Sequence, residues 1–82
     1  MAKYDPLERH LRISNHRPLT LTFANIQQII GANLPQSAYD WRPWWANDRS
    51  HVQARAWINA GYAADVVHIV SNNPNNSSVT FC

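Results

Sequence analysis

The stretch Trp41 to Trp57, WRPWWANDRSHVQARAW, holds all four tryptophans of the chain together with Arg42, Arg49, Arg55, His51 and Gln53. Indole rings stack on planar groups, and guanidinium, imidazole and amide side chains hydrogen-bond the edges of those groups. As chemistry, the block predicts a binding surface. Trp44, Trp45 or Trp57 would stack, Arg49 and Arg55 would meet phosphate, and Asn47, Asp48, His51 and Gln53 would supply polar contacts. The competing reading of the same indoles is packing in a core or an interface, and of the arginines a solvated helix start.

Catalytic signatures are missing. The sequence has no G-x-x-x-x-G-K-[ST], no G-x-S-x-G and no H-E-x-x-H, and its two glycines cannot build a phosphate-cradling loop. His10, His16, His51 and His68 lack metal-ligand spacing, so neither a metal nor a cofactor is expected. Within the block, Asp48 with His51 is the acid–imidazole pair. Without a nucleophile or a second carboxylate it supports only a secondary alternative, a small hydrolase.

With 82 residues, 45% of them apolar, and no composition break before Ser71, the chain reads as one domain spanning 1–82. A domain of this size buries only about 60–65% of its unfolded surface. That shortfall, with the low charged fraction of 15%, predicts a homodimer or higher homo-oligomer. The net charge of +2 is spread along the chain, so it permits an anionic ligand or a few phosphate contacts without demanding nucleic acid. The single Cys82 excludes an intrachain disulfide. No secretory leader or membrane-spanning apolar run is present, which points to a cytoplasmic setting in a bacterial host and no membrane partner.

Outside the block, Asp5-Pro6-Leu7-Glu8 predicts a helix start with Asp5 as cap and Glu8 closing a capping box, the helix running to about Ile13. Asn15-His16-Arg17-Pro18 predicts a turn and Leu19–Thr22 an extended segment. Thr22 caps a second helix whose core face is Phe23, Ile26, Ile29 and Ile30, and Gly31 stops it. Leu34–Tyr39 can begin a short helix that Pro43 makes irregular. Ser50-His51-Val52-Gln53 fits a second capping box and predicts a helix over 51–60, with His51, Arg55 and Asn59 as its polar strip. Val66–Val70 reads as a strand, His68 sharing a core or rim face with Val66 and Val70. Residues 71–78, SNNPNNSS, read as a mobile hairpin loop, and Val79–Phe81 as the returning strand. The fold class that follows is α+β: about three short helices on a small two- or three-stranded antiparallel sheet, with Leu19–Leu21 as the candidate third strand.

The chain also resembles a family of small bacterial and phage domains of unknown function. The resemblance rests on Lys3-Tyr4-x-Pro6-Leu7, Leu21-Thr22-Phe23-x-x-Ile26, Leu34-Pro35-x-Ser37-Ala38, Trp44-Trp45-Ala46-Asn47-Asp48, His51-x-Gln53-Ala54-x-Ala56-Trp57 and Val79-x-Phe81. Its specific part is the W-W-A-N-D…H-x-Q-A-x-A-W block, and Asn25 departs from the acid expected in the second helix. The resemblance implies a stand-alone α+β domain and no established activity. The functional expectation is therefore a non-enzymatic protein holding a nucleotide-like small ligand, by analogy a phage protein that sequesters a nucleotide immune signal. The alternative is a nucleic-acid or protein interaction module that docks through exposed tryptophans and arginines.

Overall fold

Leu7 and Leu11 lie one turn apart, and both are fully buried in the computed structural model, which describes residues 2–14 and 16–82. They form the inner face of helix α1 (Asp5–Ile13), which packs on α2 (Phe23–Ile30) and α4 (Ala54–Asn59). Between these come strand β1 (Leu19–Thr22), the short helix α3 (Ser37–Asp40) and a 3₁₀ turn (Arg42–Trp45). Strands β2 (Ala64–His68) and β3 (Ser78–Phe81) close the chain. The α+β expectation holds, with a fourth helix and a third strand. Of the expected turn at 15–18, Asn15 lies outside the described residues.

The sheet has order β1-β3-β2 and is antiparallel throughout, so the last strand occupies the centre. Strand alternation sends Leu21, Val79 and Phe81 into the core under the helices. The opposite face carries Thr20, Thr80 and Val66 in one row, with a Thr20–Thr80 hydroxyl hydrogen bond of 2.9 Å. Val66 is 57% exposed, and His68 is exposed with it, which corrects the expectation that this face of the strand meets the core. Val67 and Ile69 face inward instead.

Thr22 does cap α2. Its hydroxyl accepts from the Asn25 amide at 3.0 Å while the Asn25 side chain accepts from the Thr22 amide at 3.1 Å. Asn25 thus does the work expected of an acid at that position. Gly31 ends the helix at φ +70°, a left-handed conformation that glycine adopts without a side-chain clash.

The two expected capping boxes do not form. The Asp5 carboxylate is the first residue inside α1 and accepts from the Ala2 amide at 3.1 Å, while Glu8 pairs with Arg12 at 2.9 Å. At Ser50–Gln53, the Ser50 amide is taken by Asp48 at 2.9 Å, and Gln53 turns inward to donate to the Trp44 carbonyl at 2.9 Å. With no cap at Ser50, α4 begins only at Ala54, three residues later than predicted.

The connection between β2 and β3, expected as a mobile loop over 71–78, gives Ser78 to the strand and is fastened at several points. The buried Ser77 hydroxyl accepts from the Val70 amide and donates to the Val70 carbonyl, both at 2.9 Å. Carbonyls of Ser77 and Pro74 accept from the amides of Phe23 and Ala24 in the first turn of α2. No helix among the described residues is long and apolar enough to cross a membrane.

Candidate functional site

The tryptophan block folds into a ladder of rings through the core. Trp45 is its centre: Trp44 meets it edge-on with centroids 4.6 Å apart, Phe23 lies at 4.9 Å, and Trp57 stacks on it at 5.8 Å. Tyr4 extends the ladder to α1 and Phe81 extends it to the sheet. Trp57 is 0% exposed, and Trp44 and Trp45 are buried, so these rings hold the helical layer to the sheet. Trp41, 51% exposed, is the indole left at the surface, its ring 6.0 Å from that of His51.

The indole N–H groups of Trp45 and Trp57 each have a partner within the protein. The Trp45 indole donates to the Ala38 carbonyl at 2.9 Å. Asn47 is a junction: its Oδ1 accepts from the Trp57 indole at 2.9 Å and from the Ala64 amide at 2.8 Å, and its Nδ2 donates to the Ala64 carbonyl at 3.0 Å. A single amide side chain thereby copies one rung of a neighbouring strand along the free edge of β2. Arg42 continues the pattern by donating to the Val67 carbonyl at 2.7 Å. These two side chains blunt an edge that would otherwise present unpaired backbone groups.

The remaining expected site residues separate. Arg49 donates to Asn59 at 2.9 Å, and Arg55 donates to the Arg49 carbonyl at 2.8 Å, so these two arginines share the outer strip of α4. Asp48 accepts from the Ser50 amide; that backbone hydrogen bond first, the Ser50 side chain next and the nearby His51 less strongly hold its carboxyl below the ordinary value. No side-chain hydrogen bond joins Asp48 to His51, and His51 Nδ1 is buried without a partner.

What the structure does assemble is an open groove of about 420 Å³ between the 3₁₀ turn and the edge of β2. Pro43, Ala46, Val67 and the rim of Trp45 form its apolar floor, Asn47 and Ala64 its inner wall, and Arg42 and Asp65 contribute the charges. No ion pair joins Arg42 to Asp65. Of the expected site, only Trp45 and Asn47 border this groove. Arg42 was visible in the sequence as a member of the block, whereas Asp65 carries no local signal and joins it only through the sheet.

The fold and groove define a small two-layer α+β domain with a blunted sheet edge and a ligand-sized cleft beside it. A family model described as Domain of unknown function (DUF7662) matches residues 4–78, and the chain belongs to that family. Neither the curated proteins nor the solved structures yielded a match to the chain.

Proposed function

We propose that the protein is a non-enzymatic binding protein that takes a nucleotide-like small ligand in the groove between the 3₁₀ turn and β2. The observation that carries this reading is the groove itself: about 420 Å³, apolar-floored, with a guanidinium and a carboxylate that do not neutralise one another. Small-molecule sites run to about 300–1,000 Å³ and combine an apolar lining with a few convergent polar groups. Arg42 is positioned by the Val67 carbonyl and keeps its remaining donors for a phosphate. The apolar floor suits a planar base.

Thermal shift with mononucleotides, cyclic dinucleotides and ADP-ribose tests the reading. Ligand at 100 times its Kd adds about 2.7 kcal/mol. For a domain of this size that raises Tm by about 10–20 °C. Arg42→Gln removes most of the shift, and ligand recovered after incubation is unaltered. Absence of any shift across the panel, with unchanged tryptophan fluorescence, overturns the proposal.

The exposed Trp41 beside Arg42 favours a second reading, a nucleic-acid contact in which the indole stacks on an unpaired base. Binding of single strands that weakens steeply with salt and is lost in Trp41→Ala supports it; no binding at low salt removes it.

A further inference from the structure

β2 and β3 do not pair evenly. Ala64 faces Phe81 and Val66 faces Thr80, so Asp65 is an extra residue with no counterpart on β3. An extra residue of this kind forms a β-bulge, which breaks the alternation of the strand and re-aims a side chain. Here the re-aimed residue carries a carboxylate and is one of those that line the groove. It is exposed and unpaired by any cation within ion-pair distance among the described residues, and its side-chain hydrogen bond there is from the Cys82 thiol, 3.7 Å from Oδ2. Bulged positions beside clefts are where a fold presents a functional group, and this one presents a pure acceptor.

We propose that Asp65 is the specificity-determining residue of the groove and selects guanine nucleotides. The assignment rests on the nucleotide reading given above and narrows its ligand class. An ionised carboxylate accepts two parallel hydrogen bonds and donates none. Among the nucleobases, only guanine offers two adjacent donors on one edge, its ring N1–H and its 2-amino group. Adenine and cytosine set one amino donor beside a ring nitrogen acceptor, which a carboxylate repels, and the single N–H of uracil lies between two carbonyls. Arg42 then holds the phosphate end, while Pro43, Ala46 and Val67 lie under the base. A guanidinium ligand also carries paired donors, but it meets the charge of Arg42 in the same groove.

Calorimetric titration of the full chain with GMP, IMP, AMP and XMP, repeated on Asp65→Asn, tests the assignment. IMP lacks the 2-amino donor, and XMP replaces it with a carbonyl. GMP is expected to bind about tenfold or more tighter than the other three, the discrimination typical of one good bidentate contact. In Asp65→Asn the amide offers one acceptor and one donor, which suits xanthine, so the preference moves from GMP to XMP while Tm stays at the parent value. If the nucleotides bind within about twofold of one another, or if Asp65→Asn keeps the parent ranking, the Asp65 assignment is overturned and the groove reading stands. If none of the four binds either chain, the Asp65 assignment is overturned, and the groove reading falls with it when cyclic dinucleotides and ADP-ribose give no thermal shift either.

Discussion

Replacing Asn47 by alanine removes three hydrogen bonds at once, and their surroundings differ enough to predict the cost. The Trp57 indole belongs to a ring that is 0% exposed, so its N–H is stranded when Oδ1 disappears. A buried donor left without a partner costs about 1–3 kcal/mol. The Ala64 amide and carbonyl lie at an exposed edge where water replaces the lost side chain, and they add only a few tenths of a kcal/mol each. The expected total is about 2–3 kcal/mol, or about 10–20 °C in Tm for a domain of this size. That is a large part of the roughly 4–12 kcal/mol available to such a chain. Asn47→Asp keeps the acceptor and loses the donor, so it falls between alanine and the parent. The assay is chemical unfolding of Asn47→Ala, Trp57→Phe and the double variant. Because Trp57→Phe also removes the indole N–H, the two losses are coupled and the double variant is less destabilised than their sum. A loss under about 0.5 kcal/mol, the level of an ordinary surface change, or additive losses in the cycle, would refute the junction.

Two further outcomes follow from the same geometry. Gln53→Met keeps the volume of a side chain that is 7% exposed but leaves the Trp44 carbonyl without its donor, so unfolding in urea registers a loss of about 1–2 kcal/mol; an unchanged midpoint means that another donor reaches that carbonyl. The Asp48 carboxyl is held below its ordinary value chiefly by the Ser50 amide, so its contribution is present above the ordinary aspartate range and fades as pH falls through and below about 4. Asp48→Asn lacks that contribution, and thermal melts of the two chains converge at low pH; curves that stay parallel across the range show that Asp48 adds none.

The W-W-A-N-D…H-x-Q-A-x-A-W block concentrates polar and aromatic chemistry in the sequence, and the structure directs much of it inward. Asn47 and Gln53 are polar residues whose side chains bond an indole, a strand edge and a carbonyl of the protein itself. Composition cannot distinguish an amide that greets a ligand from one that closes a fold, because both require the same donors and acceptors. The groove is marked less clearly: Arg42 and Pro43 stand inside the block as interruptions among tryptophans, and Asp65 sits alone between Ala64 and Val66.

Local rules settled several elements of this chain from the sequence. Leu7 and Leu11 at helical spacing gave α1 its buried face, Thr22 and Gly31 bounded α2, and the alternation Val79-Thr80-Phe81 placed two side chains in the core. Each of these depends on neighbours within one or two turns, which the sequence contains. The start of α4, the solvent-facing side of Val66 and His68 and the aim of Asp65 depend on partners in other elements: the Trp44 carbonyl that draws Gln53 inward, the central position of β3, and the uneven pairing that makes the bulge. Those partners meet only when the ring ladder and the sheet come together. The tryptophan block therefore carried its composition in the sequence, and tertiary packing decided that its rings support a cleft bordered by Arg42 and Asp65.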